Sequence, residues 1–227
     1  MENSNIVDHE MLIELPLKVT YCERLNPTGT DRTIILLHGY GETKERMMRK
    51  VAEPLVAHAR RWISLSAPFP CPQLTPKGPK PGYAWYFRSL KHQVTMIPPQ
   101  DCQKVFQRFV AQVQLNSSPV VIIGFSQGGY IMPYLASEIR NISALIGISC
   151  GLHVDQESRW KGLYLDLIHS AGDELSNIDE AESQFQQMQP RLKGGAFHRL
   201  SGAHGIDAEK IAVVEKLLKG ESHALHR

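Results

Sequence analysis

The chain has 227 residues, of which 42% are hydrophobic, enough to bury the core of one domain but short for two. Its formal net charge of +2 is close to neutral for this size and gives no indication of nucleic-acid binding. The first ten residues, MENSNIVDHE, lack the pattern of a secretory signal, and no run reaches the roughly 18 apolar residues of a membrane span. We therefore expect one soluble, cytoplasmic domain over residues 1–227, without stable membrane insertion.

Short apolar runs alternate with amphipathic segments along the chain. The N-terminal stretch MLIELPLKVTYCE lies outside this alternation and is a candidate for antiparallel edge strands. The predicted strands that follow are Thr33–His38, Trp62–Ser66, Pro119–Phe125, Ala144–Ser149, Leu163–His169 and Gly195–Leu200. Most are continuously apolar, which is typical of strands covered on both faces.

Helical periodicity is clearest in Asp101–Leu115, where apolar residues recur every three or four positions. The stripes Ile178–Met188 and Ile211–Leu218 have the same spacing. Glu42–Ala59 predicts another helix, which Pro54 should kink or shorten. Because strands and helices alternate, we expect an α/β fold with a mostly parallel central sheet flanked by helices.

One long segment, Ser66–Arg88, contains six prolines and two glycines, so we expect no regular element in it. A loop of this length in a compact domain is usually functional or disordered, and the aromatic residues at its end argue against disorder. Trp85 and Tyr86 are predicted to line a substrate pocket. A tryptophan in such a loop can equally serve to attach the loop to the core.

The stretch GFSQG, Gly124–Gly128, lies between a predicted strand and a predicted helix. This pattern is typical of a sharp turn that displays a nucleophilic serine, here Ser126, in a strained backbone conformation. Side chains at Gly124 and Gly128 would collide across the turn. The N–H of Gln127, at the start of the helix, is a candidate donor to an oxyanion. A structural turn with an idle serine is the alternative.

A serine hydroxyl needs a base, and the base needs a carboxylate that orients it. On this type of fold the chain order is serine, acid, histidine. Asp173 lies in a loop after a late strand, and His204 lies between the last strand and the last helix. We therefore predict Asp173 as the acid and His204 as the base.

Other acidic residues and histidines are weaker candidates. Glu174 should point elsewhere from the same loop, and Asp166 lies too early, inside a strand. His198 lies within the last strand and should pack or face solvent. His169, at the end of a strand, is better explained as a hydrogen-bonded structural residue, and His38 as a brace of the loop that follows it.

The second oxyanion donor is expected in the stretch IILLHGYGE, where His38–Gly41 follow an apolar strand. Gly39 and Gly41 allow the backbone to approach a ligand closely, and the N–H of Tyr40 would be the donor. The Tyr40 ring is also a candidate wall of the substrate pocket, and an ordinary surface tyrosine is the alternative.

The four cysteines have neither metal-ligand spacing nor the arrangement of a disulfide framework, so we expect no metal site. Cys102 and Cys150 lie in apolar surroundings, where a free thiol is usually a small core residue.

The motifs LLHGYGE, SAP, AWY, GFSQGG, HSAGDE and GAHGI resemble, in order and spacing, the phospholipase/carboxylesterase family, which includes the acyl-protein thioesterases. The resemblance runs from about Thr33 to Leu218. It implies a single-domain α/β-hydrolase without a cofactor. By motif match, Ser126 would be the nucleophile, Asp173 the acid and His204 the base. The chain departs from the family pattern His-Gly-Leu-Gly-Asp at Tyr40 and Glu42.

The expected function is therefore a carboxylesterase that cleaves esters with short to medium acyl chains through an acyl-enzyme. An acyl-thioesterase or a lysophospholipase would use the same three residues. A peptidase of the same fold and an inactive binding protein on a hydrolase scaffold are further alternatives. The expected partner is a small or lipid-like ester, and whether the chain forms a homodimer stays open.

Overall fold

The computed structural model describes residues 17–89, 94–115, 117–153 and 159–220. The strands are β1 (Tyr21–Leu25), β2 (Thr33–Leu37), β3 (Arg61–Leu65), β4 (Phe69–Pro70), β5 (Gln73–Thr75), β6 (Gly78–Lys80), β7 (Tyr83–Ala84), β8 (Phe87–Ser89), β9 (Val94–Ile97), β10 (Val120–Phe125), β11 (Ile142–Ile148), β12 (Leu165–Gly172) and β13 (Phe197–Ala203). The α-helices are α1 (Lys44–Met47), α2 (Gln103–Val113), α3 (Gln127–Ala136), α4 (Ile178–Met188) and α5 (Ala208–Leu218). Each predicted strand is present, with its ends displaced by a few residues.

A seven-stranded sheet has the order β1-β3-β2-β10-β11-β12-β13. β1 pairs with β3 antiparallel, and every other pair is parallel. The predicted parallel sheet is confirmed, and so is the antiparallel edge strand, although residues 11–16 of that prediction lie outside the described part of the chain. Because the carboxyl ends of parallel strands lie at the same edge, the loops after β2, β10, β12 and β13 meet there.

Alternate residues of the central strands face opposite layers of helices. In β2, Ile35 and Leu37 pack in a cluster with residues of α2, α3 and α4. Ile34 and Leu36 face the other side, among residues of α1 and α5. Burial on both faces explains why these strands are continuously apolar. Cys102 and Cys150 are buried free thiols, as predicted, and burial raises the pKa of each to about 12.

The segment Glu42–Ala59 does not form one continuous helix, and the predicted shortening at Pro54 is confirmed. α1 continues into a π-helical turn, Met48–Ala52, and a separate 3₁₀ turn, Val56–His58, follows. Pro54 lies between the two turns. A proline has no N–H to donate and its ring clashes with the preceding turn, so the helix ends before it.

The segment Ser66–Arg88 contains short ladders, so the prediction of no regular element was wrong. β4 pairs with β7, and β5 pairs with β6, in two- and three-residue antiparallel ladders. Pro70 and Pro79 fit because such small ladders leave many N–H groups without a strand partner in any case. The longest α-helices among the described residues have 11 residues, too few to cross a bilayer.

Candidate active site

The turn between β10 and α3 holds Ser126 in a strained conformation. Its φ is 49° and its ψ is −120°, a region that residues other than glycine rarely occupy. The Ser126 N–H donates to the carbonyl of Ile148 in the adjacent strand at 2.8 Å. The backbone is therefore anchored on the sheet while the side chain is directed above it.

The glycines on either side of Ser126 are required by two different contacts. A Cβ atom at Gly124 would lie 2.5 Å from the carbonyl oxygen of Gly128, the collision across the turn that the sequence predicts. A Cβ atom at Gly128 would instead overlap the carbonyl oxygen of Leu37, at the end of β2. The turn is thus packed against itself and against the neighbouring strand.

Three polar side chains that are distant in sequence meet above the sheet. His204 Nε2 lies 3.2 Å from Ser126 Oγ. His204 Nδ1 lies 2.9 and 2.8 Å from the two carboxylate oxygens of Asp173. The imidazole also packs on the ring of Phe125, with 5.1 Å between the ring centroids. The histidine is thereby held between a hydroxyl and a carboxylate.

The surroundings of Asp173 stabilise its negatively charged form. Burial by itself raises the pKa of this carboxyl, but hydrogen bonds from His204 and from the Ser176 and Leu175 N–H groups outweigh it and hold the pKa below its usual range. The charged carboxylate accepts a hydrogen bond from Nδ1–H when the imidazole is neutral. Nε2 then carries the lone pair that faces Ser126 Oγ.

The weaker acidic and histidine candidates lie elsewhere. Glu174 is exposed beside Asp173. Asp166 is buried in β12 and lies 3.0 Å from His198 Nε2, a partner that the sequence did not reveal. His169 is a hydrogen-bonded structural residue, as predicted, and lies 3.1 Å from Ser176 Oγ.

The loop after β2 lies directly against the serine turn. A Cβ atom at Gly39 would lie 2.9 Å from the Phe125 ring. His38 braces this loop, as predicted: its Nε2 accepts from the Ala67 N–H at 3.0 Å, and its Nδ1 lies 2.8 Å from the Gly39 carbonyl. Burial lowers the pKa of His38 to about 4, so the ring is neutral and its Nδ1–H donates to Gly39.

The N–H groups of Tyr40 and Gln127 have no hydrogen-bond acceptor among the described residues. Both belong to the segments that border Ser126, since Gln127 is its neighbour in sequence and Tyr40 follows Gly39. They are available as donors, and their use by an oxyanion stays a prediction.

Trp85 does not line the site, and its predicted contact with substrate is wrong. The side chain is fully buried; its indole N–H donates to the His38 carbonyl at 2.8 Å, and its ring packs on Phe106.

Two hydrogen bonds made by the Gln127 side chain, which the sequence did not predict, hold the same segment in place. The Gln127 side chain accepts from the Trp85 N–H at 2.9 Å and donates to the Tyr86 carbonyl at 2.8 Å.

Two cavities border the serine and histidine. The larger cavity, about 610 Å³, and the smaller cavity, about 500 Å³, share four lining residues, Tyr40, Ser126, Leu175 and His204. Tyr86 lines the larger cavity. The positions of Tyr40 and Tyr86 therefore agree with the predicted pocket, whereas their contact with substrate stays a prediction.

A buried lysine supports the loop that carries His204. The Lys210 side chain is fully buried, and its ammonium donates to the Ala203 carbonyl at 2.8 Å and to Asp207 Oδ2 at 2.9 Å. Asp207 also caps the start of α5. Only the Asp-x-x-Lys spacing at the helix start hinted at this pair in the sequence.

Across the described ranges, no group of histidine, cysteine and acidic residues is arranged to hold a metal ion.

The parallel sheet, the strained serine turn and the order of the three hydrogen-bonded residues define the α/β-hydrolase class. Residues 26–221 match the family model described as Phospholipase/Carboxylesterase. The chain belongs to this family of hydrolases, and the resemblance inferred from the motifs is confirmed.

Solved structures of esterases have the same fold. Esterase PE8 superimposes with a TM-score of 0.73 at 18% identity, covering 90% of this chain and 99% of the other. The Zea mays acyl-protein thioesterase 2 gives 0.70 at 17% identity, covering 90% and 99%. The carboxylesterase from Mesorhizobium loti gives 0.70 at 14% identity, covering 90% and 98%. No curated protein matches the chain by sequence. At these identities the structural likeness shows the fold alone.

Proposed function

We propose that the chain is a serine carboxylesterase that cleaves esters with short to medium acyl chains through an acyl-enzyme. The observation that carries this proposal is the 3.2 Å separation of His204 Nε2 and Ser126 Oγ, with Asp173 bound to the opposite ring nitrogen. This is the geometry that a general base needs to take the proton of an attacking hydroxyl.

In the proposed mechanism Ser126 Oγ attacks the ester carbonyl while His204 takes its proton. Asp173 holds the imidazole and stabilises its charged form. The N–H groups of Tyr40 and Gln127 receive the tetrahedral oxyanion, and the loss of one such donor costs about 3–4 kcal/mol. His204 then protonates the leaving alcohol, and water repeats the sequence on the acyl-enzyme.

Thioesters and lysophospholipids pass through the same tetrahedral geometry, so thioesterase or lysophospholipase activity is the second candidate. Its support is the structural likeness to the acyl-protein thioesterase. An inactive binding protein is less compatible with a strained serine that is hydrogen-bonded to a histidine and, through it, to a carboxylate.

A fluorophosphonate probe tests the proposal, because it labels only an activated serine. The expected result is labelling of the unmodified chain and none of Ser126→Ala, with loss of p-nitrophenyl ester hydrolysis by about 10⁴-fold or more. Activity should rise through about pH 6–7.5, where an imidazole base becomes neutral. Unimpaired hydrolysis by Ser126→Ala, or rates that stay flat from about pH 5 to 8, would contradict the mechanism.

A series of p-nitrophenyl esters with acyl chains of about two to sixteen carbons, tested beside an acyl-thioester, would separate the two candidate functions.

A further inference from the structure

Ser149 occupies the same position at the end of β11 that Ser126 occupies at the end of β10. The Ser126 N–H donates to the Ile148 carbonyl, and the Ser149 N–H donates to the Ile168 carbonyl, each at 2.8 Å on the next strand. The φ of Ser149 is 51°, close to the 49° of Ser126. The other described non-glycine residue with positive φ, Gln114, ends helix α2, where a left-handed residue is ordinary.

The Ser149 hydroxyl has no structural partner that explains it. Its side chain is fully buried, and its Oγ makes no hydrogen bond within the described ranges. Buried hydroxyl groups are nearly always paired, and strained or unpaired groups concentrate at functional sites. Ser149 lines the larger cavity together with Ser126 and His204.

The leaving alcohol and the acyl group can be assigned to different cavities. The smaller cavity is lined by the whole loop of residues 203–207, whereas the larger cavity contacts only His204 of that loop. His204 must deliver its proton to the leaving alcohol. Although His204 lines both cavities, we place the alcohol beside this loop, in the smaller cavity, and the acyl group in the larger one.

We propose that the Ser149 hydroxyl, which is closed to solvent in this structure, turns about its Cα–Cβ bond toward the larger cavity and donates a hydrogen bond to an oxygen atom within the acyl group. The enzyme then prefers acyl groups that contain an ether, hydroxyl or carbonyl oxygen over plain alkyl chains. Glu180 and Gln184 line the same cavity, and an alkyl chain would remove water from these polar side chains without offering them a new hydrogen bond. This inference rests on the proposed esterase function and specifies its substrate class.

The experiment compares p-nitrophenyl esters of equal length with and without the oxygen: methoxyacetate against butyrate, and 3-methoxypropionate against pentanoate. The measured quantity is kcat/KM for the oxygen-containing ester divided by kcat/KM for the alkyl ester of the same pair. It is measured for the unmodified enzyme and for Ser149→Ala. Intrinsic ester reactivity cancels when the two enzymes are compared. In at least one pair, the ratio should fall about fivefold to tenfold in Ser149→Ala, the value of one neutral hydrogen bond.

Ser64→Ala is the matched control, since Ser64 is also fully buried with an unpaired hydroxyl but lies within β3 and does not line the larger cavity. Its ratios should stay within about twofold of the unmodified enzyme. The midpoint of urea unfolding should not fall in Ser149→Ala, because the hydroxyl has no hydrogen bond to lose. If Ser149 had only a structural role, Ser149→Ala would lower the unfolding midpoint and would reduce kcat/KM equally for both esters of a pair.

Unchanged ratios in both ester pairs for Ser149→Ala would overturn the proposal, and so would equal changes in Ser64→Ala. If the unmodified enzyme hydrolyses none of these esters, or if Ser126→Ala remains active, the proposed function itself fails and this inference fails with it. The two failures are therefore distinguishable.

Discussion

The two halves of the candidate site are held by different kinds of interaction. On the serine side, which comprises His38, Gly39 and the Ser126 turn, the contacts are neutral hydrogen bonds and close approaches of backbone atoms. On the histidine side, which comprises the loops of Asp173 and His204 with the Lys210 pair, the contacts are charged hydrogen bonds.

The difference indicates how each side should respond to change. Contacts between rigid backbone atoms tolerate no added volume, so the serine side should fail when an atom is added. The histidine side depends on charge and proton position, so it should fail when the charge is removed even though the fold persists. The following predictions test this contrast, from the largest expected effect to the smallest.

The largest effect is expected for Asp173→Asn on the histidine side. The amide keeps the size of the carboxylate and can still accept from the N–H groups of Leu175 and Ser176. Its NH₂ group, however, favours the histidine tautomer in which Nε2 carries the proton. We expect kcat to fall about 10⁴-fold, with little change in the urea unfolding midpoint. Glu174→Gln, on the exposed neighbour, should leave kcat unchanged; a decrease of less than tenfold in Asp173→Asn would contradict the assigned role.

On the serine side, Gly128→Ala should destabilise the fold, because the added Cβ overlaps the Leu37 carbonyl oxygen. We expect the free energy of unfolding to fall by about 3 kcal/mol in a urea titration. Gly162→Ala provides the comparison, since that glycine has a φ of 75° but open space around it. In Gly162→Ala, the strain of a left-handed backbone conformation alone should lower the free energy of unfolding by about 1 kcal/mol. Equal losses in the two variants would show that the contact with Leu37 is unimportant.

The effect that is smallest near pH 7, where it is absent, is the acid sensitivity that His38 confers on the serine side. Burial lowers its pKa to about 4 in the folded protein, below the value of about 6.5 in an unfolded chain. The unfolded chain therefore binds the extra proton first. The contribution of the neutral ring is complete above about pH 6.5 and is lost as the pH falls to about 4, where about 3 kcal/mol has disappeared.

His38→Asn should consequently show a flatter dependence of unfolding free energy on pH between about 4 and 6.5, even though it is less stable at pH 7. Ser143→Ala, which removes a hydrogen bond to the Val120 carbonyl but no titratable group, serves as the control and should keep the slope of the unmodified protein. An unchanged slope in His38→Asn would show that this ring is not held neutral by the fold.

Much of the architecture could be predicted because it depends on local pattern. The strands from β2 to β13 that form the parallel part of the sheet were identifiable as apolar runs, and the helices as apolar stripes. Glu42–Ala59 was predicted as one helix because its composition favours helix, and the exact effect of Pro54 depends on packing. The short ladders in Ser66–Arg88 were missed because prolines weaken every local strand signal, whereas neighbouring backbone supplied the pairing.

What the sequence determined by itself is the turn that displays Ser126, together with the chain order of Asp173 and His204. A residue forced between a strand and a helix requires a glycine at position 124, where an added Cβ would meet Gly128 across the turn, and that steric requirement is local. Tertiary structure decided which side chains face the cavities: Trp85 is buried, Gln127 clamps the loop, and Ser149 lines the larger cavity. The direction of a side chain depends on contacts with segments far away in the chain, and no local pattern encodes those contacts.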